Sequence, residues 1–345
     1  MSTDWPKVRL HVVTGKGGTG KSTVAAALAL ALASHGKQVL LCEVEGRQGI
    51  ARMFDVDPLP FEERLIATGL RREGGDTPGS VHALHIDPEA ALLEYLSLYY
   101  KLGRAGRALD RFGVTEFATT IAPGVRDVLL TGKVFEVVER NARNKGALQY
   151  DAVVLDGPPT GRINQFLNVS DEVAGLAKVG PIKAQSDTMM TLFRSPRTAV
   201  HLVTVLEEMP VQETSDGIDA LREAGLPVGG VVVNLVRPRD LAQPSLTEAL
   251  TGTLDTASIR TDLAAAGLGL GPGAGPAAGG GSEDLVEVLL DEGRDHAERR
   301  RLEDSQRTLV GAMGVPTYEL PRLVDGVDLG GLYELAGLLR EQGLA

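Results

Sequence analysis

Short apolar runs recur along the chain, and patterns typical of helices separate most of them. Each run is rich in β-branched residues and short, so each predicts a buried strand. Alternating strands and helices favour a mostly parallel sheet that is covered by helices on both faces. We therefore expect an α/β fold with a doubly wound, mostly parallel sheet. The predicted strands occupy residues 8–14, 38–44, 81–86, 150–155, 199–206 and 227–234.

The segments between these strands predict the remaining organisation. Residues 87–144 and 163–197 have largely helical patterns, and they predict a helical layer inserted between strands. Residues 24–33 are apolar all round, so they predict a helix buried beneath the sheet. Residues 267–282 are mostly glycine, alanine and proline, which is typical of a flexible loop or linker. We expect one domain over residues 1–345, without internal repeats.

Composition narrows the classes of function. The formal net charge is −11 and no basic stripe is present, so we expect no nucleic-acid partner. The single cysteine, Cys42, lies in an apolar run and is incompatible with a disulfide framework or a CxxC metal site. The first residues carry no signal-peptide pattern, so we expect a cytoplasmic protein.

A glycine-rich segment follows the first predicted strand and precedes a predicted helix. It reads G-K-G-G-T-G-K-S over residues 15–22 and fits the phosphate-binding pattern G-x-x-x-x-G-K-[ST]. Glycines let the backbone N–H groups turn toward an anion. Lys21 is expected to reach the β- and γ-phosphates, and Ser22 is expected to bind Mg²⁺. ATP or ADP is the predicted ligand of Gly15, Gly17, Gly18, Thr19, Gly20, Lys21, Ser22 and Thr23.

Polar residues end two further predicted strands. Asp156 follows the apolar run at 150–155, and Asn234 ends the run at 227–234. In parallel sheets, ligands bind beyond the carboxyl ends of the strands. A carboxylate there suits Mg²⁺, so we predict that Asp156 and Ser22 share the metal. The N-K-x-D context of GTP-binding proteins is absent, which favours ATP.

Two motifs carry a resemblance to a known family. The sequence D-G-P-P-T-G-R at 156–162 resembles the family segment D-T-A-P-T-G-H, and Lys16 stands where the deviant phosphate loop carries an extra lysine. The chain resembles the arsenite-pump and tail-anchored-protein-targeting ATPases, which are dimeric P-loop NTPases. The resemblance implies that Lys16 reaches the partner's nucleotide in a homodimer or in a heterodimer with a paralogous ATPase.

The same resemblance implies three further roles. Glu45 falls on the family aspartate that orients the attacking water, and we hypothesise that Glu45 performs this task and that Glu43 does not. Asn234 falls on the asparagine that reads adenine. Pro321 lies in a segment that resembles the family's loop around adenine. The predicted catalytic set is Lys16, Lys21, Glu45 and Asp156.

Departures from the family leave three functions open. Arg162 replaces the family histidine and Gly46 replaces a proline, while the lone cysteine argues against an arsenite or zinc site. The first function is an ATP-driven switch that binds a membrane-protein or other apolar client through the helical layer, where Met189 and Met190 lie. The apolar residues of that layer are also consistent with core, and core is the favoured alternative. The second is an ATPase subunit that energises an anion transporter, with membrane association through that partner. The third is a non-hydrolysing nucleotide-binding scaffold paired with a paralogue.

Overall fold

Eight strands form one sheet in the part of the chain that is described. The computed structural model describes residues 4–46, 48–68, 78–100, 123–140, 147–168, 181–268, 282–324 and 326–345. Most of the glycine-rich segment predicted to be a flexible loop lies outside these ranges. The strands are β1 (Leu10–Gly15), β2 (Gln38–Glu43), β3 (Arg64–Thr68), β4 (Ser80–His85), β5 (Ala152–Asp156), β6 (Thr198–Thr204), β7 (Val228–Val236) and β8 (Thr317–Pro321).

The strand order is β3-β4-β2-β5-β1-β6-β7-β8, and every pair is parallel except β3 with β4. The predicted mostly parallel sheet is therefore confirmed. Val13 of β1 and Glu43 of β2 both lie opposite Asp156 of β5. This register brings the carboxyl ends of the three central strands to one edge of the sheet, where ligands bind in such folds.

Helices cover both faces of the sheet, as side chains alternate between two apolar clusters along the strands. Leu10 and Val12 belong to one cluster, whereas Val13 belongs to the other. The helices are α1 (Lys21–Ala33), α2 (Gly49–Met53), α3 (Pro88–Tyr100), α4 (Pro123–Glu139), α5 (Thr160–Leu167), α6 (Pro181–Phe193), α7 (Glu208–Glu223), α8 (Gln243–Thr251), α9 (Thr256–Ala265), α10 (Ser282–Gly311) and α11 (Leu329–Glu341).

Helix α1 lies beneath the sheet, as its apolar sequence predicts. Every residue from Val24 to Ala33 is buried, in the same cluster as residues of α11. A helix with no polar face gains stability only by burial on all sides. The predicted phosphate-binding segment is therefore attached to a helix that is buried along most of its length.

The predicted helical layer is present in part as α3, α4, α5 and α6. Met189, Met190 and Phe193 of this layer are buried in the core, whereas Leu93 of α3 is exposed. Met189 and Met190 are each 5% exposed, so at these two residues the alternative of core is confirmed and that of a client groove is wrong. Arg140, which directly follows α4, bridges two glutamates. Its Nη1 lies 2.8 Å from Oε1 of Glu63, and its Nη2 lies 2.9 Å from Oε2 of Glu136.

The described chain divides into two compact units. One comprises residues 1–236 and 310–345 and contains the whole sheet, and the other comprises residues 237–309. The smaller unit has its own apolar cluster of Leu246, Ala249 and Ala297. The interpretation of residues 1–345 as a single domain stays a prediction. Within the described ranges, no helix combines the length and apolar character needed to cross a lipid bilayer.

Candidate nucleotide site

The predicted phosphate loop connects β1 to α1 at the carboxyl edge of the sheet. Gly15 ends the strand, and a Cβ there would lie 2.2 Å from the carbonyl oxygen of Val203 in β6. Gly18 and Gly20 adopt φ values of 90° and 87°, which side chains disfavour. The spacing of glycines in the sequence therefore has a steric cause at each of these positions.

The outer part of the loop is open and the inner part is closed. Gly17 and Gly18 are exposed, and a Cβ on either would meet nothing within 4 Å. Thr19 is buried, and its hydroxyl donates a hydrogen bond to the carbonyl oxygen of Lys16 at 2.9 Å. The loop thus presents an open, glycine-lined backbone that fits a phosphate group.

Ser22 and Asp156, the predicted metal ligands, are in direct contact. The Ser22 hydroxyl donates to Oδ2 of Asp156 at 2.5 Å. The pair offers a hydroxyl and a carboxylate oxygen, which are hard ligands of the kind that Mg²⁺ takes beside phosphates. The residues present therefore fit the predicted metal. Thr23, the next residue, donates to the Met53 sulfur at 3.7 Å.

Burial raises the pKa of Asp156 from its ordinary value of 3.8 to about 6. The Ser22 hydrogen bond and the Lys21 charge oppose this increase, whereas the charges of Glu43 and Glu45 add to it. The strand register puts Glu43 opposite Asp156, and Lys21 directly precedes Ser22, which contacts the carboxylate. Asp156 is thus an acid held in an unfavourable, concentrated electrostatic environment, which is typical of functional sites.

The two glutamates after β2 have different surroundings. Glu43 is buried, and its Oε1 accepts a hydrogen bond from the Gly49 backbone N–H at 2.8 Å, at the start of α2. Its Oε2 lies 3.9 Å from Nδ1 of His85. Glu45 is half-buried at the wall of a cavity. Glu43 therefore holds the segment after β2 in place, whereas Glu45 borders the cavity.

The cavity beside Glu45 has a volume of about 130 Å³ and lies against residues 156–162, the segment that begins at the end of β5. Asp127 of α4 lies there, with its Oδ1 3.5 Å from Nη2 of Arg162. The sequence comparison with the family marked Arg162 as a departure, but it gave no sign of this ion pair. The residues that line the cavity are Val44, Glu45, Arg126, Asp127, Leu130, Pro158, Arg162 and Phe166.

Lys16 has a partner within its own chain. Its Nζ lies 2.6 Å from Oε1 of Glu213 in α7, and both side chains are about one-third exposed, at 31% and 38%. Glu213 belongs to the sequence P-V-Q-E-T at 210–214. No local feature of the sequence indicated that this segment lies beside the loop.

Asn234 and Pro321 lie near the loop's edge of the sheet. The Asn234 amide donates to the carbonyl oxygen of Thr19 at 2.9 Å and is buried. Pro321 ends β8 opposite Val236 of β7. The topology thus places both predicted adenine contacts at the ends of adjacent strands, while the contact of Asn234 with the loop was not foreseen.

Comparison with known proteins shows the family of this chain. The model of the anion-transporting ATPase family matches residues 8–196, more than half of the chain. The chain belongs to this family. The matched span contains the predicted phosphate loop, Glu45, Asp156 and Arg162.

Relatives differ in how much of the chain they resemble. ATPase BagA of Mycobacterium tuberculosis H37Rv is 52% identical over 349 residues, which cover 99% of this chain and 97% of BagA. An Aquifex aeolicus protein whose name refers to an arsenical pump is 24% identical over 264 residues, 68% of this chain and 82% of its own. ATPase GET3 of Phaeosphaeria nodorum is 28% identical over 194 residues, 55% of this chain and 54% of its own.

Proposed function

We propose that this protein is a Mg²⁺-dependent ATP hydrolase. The observation that carries the proposal is the contact of Ser22 with Asp156 beside Lys21, at the base of an open glycine loop. Such a site combines an anion cradle, a cation and two oxygen ligands for a metal, which are the parts that phosphoryl transfer requires. Membership of the ATPase family supports it independently.

Each residue has a definite task in this proposal. Mg²⁺, held by Ser22 and Asp156, would neutralise charge on the phosphates. Lys21 and the loop amides bind the same phosphates and orient them. Glu45, at the cavity wall, orients the attacking water and accepts its proton, and Asn234 contacts the adenine base.

The test is hydrolysis of ATP by the purified protein with Mg²⁺ and with EDTA. We expect turnover that requires the metal. In a single-turnover assay, Glu45→Gln should lower the rate by about 10²–10⁴-fold, the usual contribution of a positioned base. The control is Glu62→Gln, which removes the same charge from an exposed position. Undiminished hydrolysis by Glu45→Gln would refute the role of Glu45, and no turnover by the unmodified protein would refute the enzyme.

We further propose that nucleotide drives formation of a dimer, with itself or with a paralogous ATPase, in the cytoplasm. In the dimer Lys16 would leave Glu213 and reach the partner's phosphates, as in the family that the loop resembles. Small-angle scattering should show a larger particle with ATP than without it, and less of that particle for Lys16→Ala. Lys7→Ala, at an exposed lysine, is the matched control. The same monomer under all conditions would contradict the proposal.

The cargo of such a switch is proposed to be a membrane protein or another apolar client, by resemblance to the targeting ATPases. The burial of Met189 and Met190 means that these side chains are not its docking surface. Affinity purification with the Glu45→Gln variant and ATP distinguishes the candidates. A co-purifying apolar client supports the switch, and a membrane permease supports a transporter subunit. A paralogue alone, with tight ATP binding and no turnover, supports a scaffold.

A further inference from the structure

Asn234 lies far from the phosphate loop in sequence but is bonded to it. Strand β6 separates β7 from β1, so the Asn234 side chain crosses the end of one whole strand to reach the loop. Its Nδ2 donates to the Thr19 carbonyl oxygen at 2.9 Å, and the asparagine is 3% exposed. Because a buried hydrogen bond excludes water from both partners, it holds Thr19 in one orientation.

The end of β7 is distorted at this residue. The register with β8 shifts between Val233 and Val236. Leu235, next to Asn234, has a φ of 57°, in the left-handed region that leucine rarely adopts. Regular pairing resumes where the Arg322 N–H donates to the Val236 carbonyl oxygen at 2.8 Å. Irregularities of this kind change the direction in which a side chain leaves the strand, and here they accompany the Asn234 side chain that reaches Thr19.

The loop is shaped to receive the amide. A Cβ on Gly20 would lie 2.3 Å from Nδ2 of Asn234, so only glycine lets the amide approach. Gly20 also has a φ of 87° and directly precedes α1. The glycine that directly precedes Lys21 in the motif therefore serves the contact with Asn234 as well as the turn.

We propose that Asn234 is a positioning residue that fixes the phosphate loop in its anion-binding shape before any nucleotide arrives. This inference rests on the nucleotide site of the proposed function, and it adds a task to base recognition. One N–H of the Asn234 amide is used by Thr19, and the other N–H and the carbonyl oxygen remain for adenine.

Hydrogen–deuterium exchange on the nucleotide-free protein tests the proposal without any ligand. In Asn234→Ala and in Asn234→Asp, which keeps the size but loses the donor, backbone amides of residues 17–22 should exchange about five- to tenfold faster. The matched control is Asn164→Ala, because Asn164 also donates through Nδ2 to a carbonyl oxygen, that of Ala220, at 2.9 Å. The control should leave exchange in the loop unchanged.

Titration with ATP and UTP in the presence of Mg²⁺ gives a second readout. If Asn234 positions the loop, Asn234→Ala weakens binding of UTP roughly five- to tenfold, and it weakens binding of ATP by at least as much, because the contact with adenine is also lost. Unchanged exchange in the loop of both Asn234 variants, with weakened binding of ATP alone, would overturn the inference and leave Asn234 as a base reader. If the unmodified protein binds neither nucleotide, the proposed function fails, whereas the exchange experiment still decides the role of Asn234.

Discussion

Replacing Asp156 by asparagine is expected to stabilise the nucleotide-free protein and at the same time to disable it. The carboxylate is 6% exposed, and burial raises its pKa to about 6. Asparagine has nearly the same shape, can still accept the Ser22 hydrogen bond, and has no charge to desolvate. The change therefore removes an electrostatic cost of folding but also removes an oxygen ligand that Mg²⁺ needs.

The size of the effect follows from the pKa. A rise from 3.8 to about 6 means that the ionised carboxylate is disfavoured by the fold. At pH 8, where Asp156 is ionised in both folded and unfolded chains, the cost is about 3 kcal/mol. As the pH falls through the folded pKa toward the unfolded one, the folded protein takes up its proton first and the cost declines, to about 1 kcal/mol at pH 4.5.

Urea unfolding at a series of pH values measures this directly. The free energy of unfolding of Asp156→Asn should exceed that of the unmodified protein by about 3 kcal/mol at pH 8, and the difference should shrink with acidification. Mg²⁺-dependent hydrolysis should fall by about 10–100-fold. The control is Asp151→Asn, at an exposed aspartate one residue before the same strand, whose Oδ2 accepts from the Gln38 backbone N–H at 2.8 Å. An Asp156→Asn variant that is less stable at pH 8, or whose advantage does not depend on pH, would refute the reasoning.

Three further predictions follow from single contacts. Gly15→Ala should cost about 2–4 kcal/mol in urea unfolding, because the new Cβ would lie 2.2 Å from a backbone oxygen of Val203; unchanged stability would contradict this. Glu213→Gln should shift the melting temperature little, as a surface ion pair contributes about 0–1 kcal/mol. It should also lower the ATP concentration needed for dimerisation in analytical ultracentrifugation, because Lys16 is released, and a raised concentration would argue against release. Arg140→Met should cost about 3–5 kcal/mol by the same unfolding assay, because two carboxylates lose their buried cation, and a loss below about 1 kcal/mol would show that water replaces it.

Local sequence was enough to predict the phosphate loop, since each element of it is specified within a few residues. The loop, its strand and its helix are consecutive, and Asp156 is recognisable as an acid at the end of an apolar strand. Strands β3 and β8 were not predicted. Each has only five residues with a partly exposed pattern, so neither gives the continuous apolar run of a central strand.

The contacts that adapt the loop to its surroundings are long-range, and this is why the sequence did not predict them. Lys16 and Glu213 are 197 residues apart, and Asn234 and Thr19 are 215 apart. Pairings of this kind depend on strand order, which determines which loop meets which, and strand order is not encoded in any local pattern. The burial of Met189 could not be predicted for a related reason. An apolar stripe on a helix has the same sequence pattern whether it packs against the core or faces solvent.

The cost at Asp156 gives a reason why ligand and fold should be strongly coupled. Without nucleotide, an ionised carboxylate is held away from water with Glu43 and Glu45 near it. A divalent cation beside Asp156 would favour the ionised carboxylate. The interaction of that carboxylate with its surroundings would then change from unfavourable to favourable. Binding of Mg²⁺ and ATP should therefore raise the melting temperature by more than affinity for the phosphates alone provides, and should lower the pKa of Asp156 well below 6. In Asp156→Asn this extra stabilisation should be absent, so that the variant is the more stable protein without ligand and the less stable one with it.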